Sequence, residues 1–418
     1  MLKINLLELV MALSSAIDLI DEKFSNHHKR VAYISFNIGK ELGLNEKDLI
    51  DLVITSSLHD IGALSIKERL DLLNFEVEDP QYHAKIGYLL LNDFEPFSKI
   101  AHYIRYHHTS YEDINFTSEA NISIISNILH LADRIDVLID KNTNILNQIG
   151  GIKEKINKYK SSKFNPAVVE AFNNLSQRES FWLDITYQPF EKLFYTEIKS
   201  TDIDLNIEDL LSVTKIFSQI IDFRSKFTST HSSGVAASAR KLAELTEFDQ
   251  YETEMMEVAG YLHDIGKLAV PNEILEKDGK LTEEEFNIIK GHSYYTRKIL
   301  DNINGFNTIN DWASLHHERL DGMGYPFHYK GDQLSIGSRI LAVADVFTAL
   351  TEDRPYRIGM GKENVIELLN KMAEKSMLDL DIVNLLFNNY DKINTYRINS
   401  QIKAEKEYKM FINKVTNL

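Results

Sequence analysis

The chain has 418 residues, of which 44% are hydrophobic and 26% charged, and this is the composition of an ordinary globular protein with two or three domains. It contains no cysteine, so disulfide bonds and thiolate metal ligands are excluded and a reducing, cytoplasmic location is favoured. The net charge of -16 argues against binding to long nucleic acids, which need a basic surface.

The first twenty residues, MLKINLLELVMALSSAIDLI, predict an amphipathic helix rather than a signal peptide. Glu8 and Asp18 interrupt the apolar run, and no clean small-residue cleavage site follows. No uncharged stretch of the chain reaches the about 18 to 20 residues that a membrane span requires. We therefore expect a soluble protein that has no membrane partner.

Apolar periodicity and few prolines predict helices through the first half of the chain. A helix over residues 1 to about 25 leads into His27, and Asn45 caps a later helix. That later helix, LIDLVITSSLHD, is mostly apolar and carries His59 and Asp60 at its C-terminal end.

The second half opens with a connector and closes with a tail. Residues 179–205 alternate β-branched and aromatic residues, which predicts a connector with a short strand. Thr282 and Glu285 form a capping box that begins a helix. Residues 396–418 alternate Lys and Glu and predict a solvated helical tail.

One pattern of histidines and aspartates occurs twice. His27 and His231 are 204 positions apart, and so are His59 and His263. Each copy then has a single histidine 24 residues before a His-His pair, and a later aspartate in an apolar helix. The first copy contains His27, His59, Asp60, His83, His107, His108 and Asp133, and the second contains His231, His263, Asp264, His292, His316, His317 and Asp345. Ten of the 14 histidines lie on matched positions, which indicates a duplicated module.

The residue types predict a metal centre. Imidazoles combined with carboxylates suit iron, manganese or zinc, whereas magnesium and calcium prefer oxygen ligands alone. Helical neighbours point about 100° apart, so each His-Asp or His-His pair can address two ions. Seven ligands suffice for two ions if a carboxylate bridges them and water or hydroxide completes the coordination. Such a pair of ions can activate a water molecule to attack a phosphodiester.

Two segments carry a family signature. YLHDIGKL at 261–268 and HHERLDGMGYP at 316–326 resemble the HDxGK and HHExxDGxGYP motifs of the HD-GYP family of cyclic-dinucleotide phosphodiesterases. The resemblance covers nearly all of 206–395 and, more loosely, 1–178, where FNPAVVEAF is similar to the family's FDPxVVxAF tail. It implies an all-α fold of two tandem HD-type helical modules, with these limits: 1–178 a degenerate HD-type module, 179–205 a connector, 206–395 the catalytic HD-GYP module, and 396–418 a helical tail.

The same resemblance assigns roles in the second module. Asp264 would bridge two divalent ions, iron or manganese, and Lys267 would contact the scissile phosphate. The remaining ligands divide into His231, His263 and Asp345 on one ion and His292, His316 and His317 on the other. Tyr325, Arg354 and Arg357 would contact the substrate. Some family members use a glutamate to support a third ion, but this chain has Phe227 at that position, so we expect two metals.

The first module keeps all seven matched ligands and lacks the residues expected to bind the substrate. Ala63 replaces Lys267, and no Gly-x-Gly-Tyr-Pro loop or paired arginines follow. It could bind metal and serve as a regulatory or dimerising partner, or it could hydrolyse another nucleotide. The absence of substrate-binding residues favours the first interpretation. Four histidines have no repeat partner and are expected to be exposed: His28, His102, His130 and His328.

The predicted function is metal-dependent hydrolysis of a 3′-5′ cyclic dinucleotide by the second module. Cyclic di-GMP and 3′,3′-cyclic GMP-AMP both stay open as substrates, and so does cleavage beyond the linear dinucleotide. The alternative is a catalytically quiet receptor that binds the nucleotide and signals to a partner. Lys267 and the full ligand set favour the enzyme, because binding alone requires no metal-activated water.

Overall fold

The computed structural model describes residues 4–19, 26–63, 80–113, 120–187, 190–198, 204–222, 230–277, 279–353 and 358–417. Within these ranges the regular structure is helical, apart from two strands of two residues each and one isolated bridge between Lys160 and Phe164. This confirms the predicted all-α fold. None of the helices in these ranges is both long and apolar enough to cross a membrane.

The chain divides into two compact units. The N-terminal unit comprises Leu13–Ile203 and Lys414–Leu418, and the C-terminal unit comprises Met1–Ala12 and Asp204–Asn413. The two halves of the sequence duplication therefore lie in different units. The exact domain limits given above stay a prediction.

Ten α-helices precede residue 200 in the described ranges. Their bounds are α1 Leu6–Asp18, α2 His27–Glu41, α3 Glu46–Leu58, α4 Pro80–Leu91, α5 Glu95–Arg105, α6 Ala120–Val137, α7 Ile149–Lys158, α8 Pro166–Leu175, α9 Glu179–Tyr187 and α10 Phe190–Glu197. In the N-terminal unit, α2 packs against α3, α6 and α8, and α4 packs against α5. Asn45 caps α3 as predicted, since its Oδ1 accepts a hydrogen bond from the Asp48 amide at 3.0 Å.

The predicted connector is mostly helical. Helices α9 and α10 occupy most of it, because Phe181, Trp182 and Ile185 are spaced as one buried helical face rather than as a strand. The strand at its end is β2, Asp204–Leu205, which pairs antiparallel with β1, Ile4–Asn5. The connector therefore contains the short strand and two helices besides.

The C-terminal unit repeats the helical arrangement. Its further helices are α11 Ile207–Asp222, α12 His231–Ala243, α13 Gln250–Leu262, α14 Asn272–Leu275, α15 Glu283–Leu300, α16 Asn307–Ser314, α17 Ile336–Thr351, α18 Lys362–Glu374, α19 Leu380–Asn388 and α20 Tyr390–Thr416. Helix α12 packs against α13 and α17, and α15 packs against α16. The capping box of Thr282 and Glu285 begins α15 as predicted. This packing brings the ends of α12, α13 and α16 to the middle of α15 and α17.

Candidate metal centres

The matched residues of the second copy lie on helices that meet in the C-terminal unit. Five of the seven stand at or just beyond a helix end: His231 opens α12, His263 and Asp264 follow α13, and His316 and His317 follow α16. The other two, His292 and Asp345, lie within α15 and α17. All seven side chains are buried or half-buried.

Distances join these seven residues into one cluster, the C-terminal cluster. The two oxygens of Asp264 face different histidines, with Oδ2 3.2 Å from His263 Nε2 and Oδ1 3.4 Å from His292 Nε2. His231 Nε2 lies 3.1 Å from Asp345 Oδ1, and His317 Nδ1 lies 3.9 Å from Asp345 Oδ2. His316 Nε2 completes the cluster 3.4 Å from His292 Nε2. Each carboxylate therefore lies between two groups of imidazoles. One group is His231 and His263, and the other is His292, His316 and His317.

Backbone carbonyls orient three of the imidazoles. His263, His292 and His316 each donate Nδ1–H to the carbonyl three residues earlier, at 2.7, 2.6 and 2.6 Å. A carbonyl can only accept, so the lone pair of each ring stands on Nε2, toward the cluster. His263 Nε2 and Asp264 Oδ1 are buried without a hydrogen-bond partner among the described residues. Unpaired buried acceptors of this kind fit a bound cation.

Electrostatics keep His292, His317 and Asp264 in their metal-binding forms, whereas His231 differs. Burial lowers the pKa of His292 to about 3 and that of His317 to about 4, so both rings are neutral at physiological pH. Burial acts to raise the pKa of Asp264, but the neighbouring His263 ring and the charge of Lys267 outweigh it and hold that pKa well below its usual range. For His231, burial acts to lower the pKa, yet Glu352 and Asp345 raise it to about 10.

Lys267 lies at the edge of the C-terminal cluster. The 3₁₀ helix Ile265–Ala269 follows Asp264 directly and turns the Lys267 side chain back, so that Nζ donates to Asp264 Oδ2 at 2.5 Å. A cation is thus held beside the carboxylate that faces both groups of imidazoles.

A glycine follows each His-Asp pair by two residues and sets the approach of the next helix. A Cβ added to Gly266 would lie 1.9 Å from the carbonyl oxygen of His292, and one added to Gly62 would lie 2.1 Å from that of His83. No other residue type allows this contact between backbones. The glycine of the HDxGK motif therefore fixes how closely the third histidine approaches the aspartate.

The GYP segment forms a loop beside the cluster. The ring of Tyr325 lies 4.8 Å, centroid to centroid, from the ring of His317. Glu318 is buried and accepts hydrogen bonds from three consecutive amides of the loop, those of Phe327 at 2.6 Å, His328 at 3.2 Å and Tyr329 at 3.1 Å. Tyr325 is therefore brought to the site, whereas Arg354, Arg357 and Phe227 lie outside the described residues.

The matched residues of the first copy form an equivalent N-terminal cluster. Asp60 Oδ2 lies 3.3 Å from His59 Nε2, and Asp60 Oδ1 lies 3.3 Å from His83 Nε2. His107 Nε2 is 3.3 Å from His83 Nε2, and His27 Nε2 is 3.6 Å from Asp133 Oδ1. Asp60, His83, His107 and His108 each offer a ligand atom within 4.8 Å of the others, and so do His27, His59 and Asp133.

The expectation that the unmatched histidines are exposed was correct for one of the four, and two of them are buried. His28 is 1% exposed and His130 is 5% exposed, and both adjoin the N-terminal cluster. Burial depends on which helices meet in the fold, and the missing repeat partner gave no information about that. His328 is exposed in the loop as expected, and His102 is half-buried on α5, where Nδ1 donates to the Ser98 carbonyl.

The sequence interpretation missed two carboxylates that orient the first histidine of each cluster. Glu352 Oε2 lies 3.1 Å from His231 Nδ1, and Asp136 Oδ2 lies 2.7 Å from His27 Nδ1. Glu352 follows Asp345 by seven residues and Asp136 follows Asp133 by three, so each shares a helix face with a predicted ligand. That spacing was the available signal.

The N-terminal cluster also differs in its cations. Ala63 stands where Lys267 would be and is fully buried. Arg134, the neighbour of Asp133, donates to Asp133 Oδ2 from Nε at 3.1 Å and from an Nη at 2.6 Å. One oxygen of that aspartate is therefore engaged by a guanidinium.

Two helical units, each enclosing a buried histidine and aspartate cluster, define a protein with two HD domains, which are metal-dependent domains. HD-domain family models match residues 24–138 and 215–382. The chain is 29% identical over 399 residues to 3′3′-cGAMP-specific phosphodiesterase 1 of Vibrio cholerae, with 92% of each protein covered. It is 26% identical over 417 residues to 3′3′-cGAMP-specific phosphodiesterase 3 of the same organism, covering 87% of this chain and 90% of the relative. A cyclic di-GMP phosphodiesterase of Pseudomonas aeruginosa is 41% identical over 150 residues, 36% of each protein.

The fold is also found among solved structures. A crystal structure of a cyclic GMP-AMP specific phosphodiesterase of V. cholerae (V-cGAP3) superposes with a TM-score of 0.65, covering 93% of this chain and 98% of that one at 23% identity. At that identity the likeness is evidence for the fold alone. With HD-domain models matched in both units and relatives spanning nearly the whole chain, this protein has two HD domains and is homologous to cyclic GMP-AMP-specific HD-GYP phosphodiesterases.

Proposed function

We propose that the C-terminal unit hydrolyses the 3′-5′ phosphodiester bonds of a cyclic dinucleotide, and that the substrate is 3′,3′-cyclic GMP-AMP. The observation that carries the proposal is that seven side chains of types that bind metal ions lie in one cluster with Lys267 and the Tyr325 loop. The relatives matched over nearly the whole chain are named for cyclic GMP-AMP, and the cyclic di-GMP enzyme from P. aeruginosa matches about a third of it. This supports the choice between the two nucleotides.

The C-terminal cluster would hold two divalent ions, iron or manganese. His231, His263 and Asp345 would hold one and His292, His316 and His317 the other, with one oxygen of Asp264 toward each. When bound, such ions supply Lewis acidity toward a phosphate and lower the pKa of water. The unpaired His263 Nε2 and Asp264 Oδ1 support this assignment.

Protein side chains would then position the substrate. Lys267 Nζ, held at Asp264, is placed to contact an oxygen of the scissile phosphate and offset its charge. The half-buried Tyr325 ring beside His317 offers a face on which a base can stack. Arg354 and Arg357 are proposed as further phosphate or guanine contacts on the family resemblance alone.

The N-terminal unit is proposed to bind metal without turning over cyclic dinucleotides. Its cluster keeps the ligands, but Ala63 supplies no cation for a phosphate and HHTSYEDINFT replaces the GYP loop. We propose that residues 1–178 act as a regulatory or dimerising module, joined through 179–205 to a catalytic module at 206–395. The cytoplasmic location favoured by the cysteine-free composition is likewise a proposal, which cell fractionation tests.

The test compares two isosteric variants in the full chain. Asp264→Asn is expected to lower turnover of 3′,3′-cyclic GMP-AMP at least about 100-fold, because it removes the carboxylate that faces both imidazole groups. Asp60→Asn, the matched change in the N-terminal cluster, is expected to retain most activity. Product formation is followed by chromatography with Mn²⁺ or Fe²⁺, and chelator should abolish it.

Other outcomes would contradict specific parts of the proposal. Equal losses in the two variants would overturn the division of labour between the units. Faster hydrolysis of cyclic di-GMP than of 3′,3′-cyclic GMP-AMP would overturn the proposed choice of substrate. Tight nucleotide binding with no product under either metal would establish the receptor alternative.

A further inference from the structure

We propose that His28 is an additional metal ligand in the N-terminal unit, where it gives one ion an imidazole that the C-terminal cluster does not have. The inference rests on the proposal that the N-terminal cluster binds metal, and it concerns a residue with no counterpart among the fourteen matched positions.

The orientation of His28 leaves one ring nitrogen available. His28 is the second residue of α2, is 1% exposed, and has Nδ1 2.5 Å from Asp18 Oδ1. If the Asp18 carboxylate accepts the Nδ1 proton, the lone pair of the ring is on Nε2. His28 Nε2 is buried and has no hydrogen-bond partner in the described part of the chain. A purely structural histidine would leave that nitrogen unpaired, which is unfavourable in a buried site.

The His28 ring lies beside matched members of the cluster. His28, His59 and Asp60 each offer a ligand atom, and these atoms lie within 4.8 Å of one another. The rings of His28 and His59 are 5.1 Å apart between centroids. Two ligands at about 2.1 Å from one ion are at most about 4.2 Å apart, so shifts below an ångström bring the three atoms onto a common ion.

The C-terminal unit provides an internal comparison. Asp222 and Ser232 stand 204 positions after Asp18 and His28, the same offset as in the duplicated ligands. There Asp222 Oδ1 accepts a hydrogen bond from Ser232 Oγ at 2.9 Å. The carboxylate that ends the preceding helix thus orients the residue beside the first histidine in both units. In the N-terminal unit that residue is an imidazole, so the same contact orients a candidate ligand beside the cluster.

The ligand set indicates the class of metal and its role. His28 and His59 form one group of candidate ligands with Asp60, His27 and His59 form another with Asp133, and Arg134 already engages Asp133 Oδ2. A set richer in nitrogen than in oxygen prefers zinc, cobalt or iron over magnesium or calcium. A site filled by protein ligands leaves fewer positions for water or substrate, as in structural metal sites. We therefore infer a metal that stabilises the N-terminal unit rather than one that performs hydrolysis.

The experiment uses the full chain with the C-terminal cluster disabled by His263→Ala and Asp264→Asn, and Co²⁺ as the probe. Affinity is measured by calorimetry, and the ligand environment by visible absorption of the bound Co²⁺. His28→Ser, which installs the residue found at position 232, is expected to weaken Co²⁺ binding by about 10- to 100-fold and to change the absorption bands. Asp18→Asn tests positioning and is expected to weaken binding less, with bands that keep the parent pattern. His102→Ser, a half-buried histidine on α5, is the matched control and should change neither quantity.

The outcomes separate the two claims. If the disabled parent binds no Co²⁺, the proposed metal site of the N-terminal unit is wrong. If it binds Co²⁺ and His28→Ser leaves affinity and spectrum unchanged, that site stands and the role of His28 is wrong. Should His28→Ser fail to fold by circular dichroism, Ser232→His decides instead in a chain whose N-terminal cluster carries Asp60→Asn. Asp222 is in place to orient the new ring, so Co²⁺ should bind the C-terminal cluster more tightly, and an unchanged affinity would overturn the inference.

Discussion

At the scale of single residues, a carboxylate orients the first histidine of each cluster, but it comes from a different position in each unit. Glu352 holds Nδ1 of His231 from the end of α17, and Asp136 holds Nδ1 of His27 from within α6. Arg30 also binds Asp136, with its Nε 2.5 Å from Oδ1. Since an acceptor on Nδ1 fixes the orientation of the ring, these carboxylates orient a proposed metal ligand in each cluster.

Glu352→Gln is expected to weaken metal binding in the C-terminal cluster about 10-fold, because the amide keeps the shape of the carboxylate and loses its charge. Binding in the N-terminal cluster should not change. The measurement is Mn²⁺ calorimetry on chains in which the other cluster is disabled. The matched variant Asp136→Asn should show the reverse pattern, and a loss in both clusters from either variant would contradict the assignment.

Residue identities could be predicted where the repeat supplied a pair. The structure brings each matched set of seven together, because order and spacing along the chain reflect the shared helical arrangement. His28 could not be recognised, since its counterpart is Ser232 and its orientation depends on Asp18 from another helix. The roles of Glu352 and Asp136 were hidden for a related reason: they occupy different register positions in the two copies.

At the scale of elements, a buried glutamate holds part of the loop at 318–331. Glu318 is 3% exposed, and its two oxygens accept the amides of Phe327, His328 and Tyr329. A Cβ on Gly324 would lie 2.5 Å from the Glu318 Cα, so the loop also packs closely on the start of its own segment. The glutamate of the HHExxDGxGYP motif is thus a loop anchor, and this brings Tyr325 to His317.

Glu318→Gln should loosen this loop, because a carboxamide offers one acceptor oxygen to three amides and turns a donor toward the rest. Leaving a buried amide unpaired costs about 1–3 kcal/mol. We expect a several-fold higher KM for the cyclic dinucleotide and faster hydrogen exchange at 327–329, with metal affinity unchanged. Glu374→Gln, on the exposed end of α18, is the control, and unchanged KM and exchange would show that the loop does not depend on Glu318.

Helix starts were predictable from local chemistry, and the connector was less so. Asn45 and Thr282 cap helices as their sequences indicate, since capping is decided within four residues. The β-branched and aromatic residues of 179–205 instead favoured a strand, whereas the spacing of the buried Phe181, Trp182 and Ile185 fits one face of a helix.

At the scale of the whole molecule, each cluster draws all its matched residues from one unit. A ligand that binds only the folded state stabilises it by RT ln(1 + [L]/Kd), about 2.7 kcal/mol at 100 times Kd. Metal should therefore stabilise each unit through its own cluster.

Hydrogen exchange with and without Mn²⁺ tests this independence. Asp60→Asn should cancel the metal-dependent protection of α2 and α6 and leave that of α12 and α17 intact. Asp264→Asn should do the opposite. Loss of protection in both units from one substitution would show that the two sites are coupled.

The duplication was visible in the sequence, but the course of the chain between units was not. Two-residue strands carry no periodicity, so nothing marked residues 4–12 as part of the C-terminal unit. The pairing of β1 with β2 places them there, and Glu8 accepts hydrogen bonds from Asn304 at 2.9 and 2.6 Å.

The pairing of β1 with β2 has a consequence for expressing the C-terminal unit as a separate fragment. A fragment that begins at the second copy would encode a C-terminal unit without residues 1–12, which include the buried Ile4, Leu9 and Val10. The missing dozen residues would have to be grafted back or provided as a peptide. The boundary between the two sequence copies is therefore not the boundary of the C-terminal unit, which also includes residues 1–12.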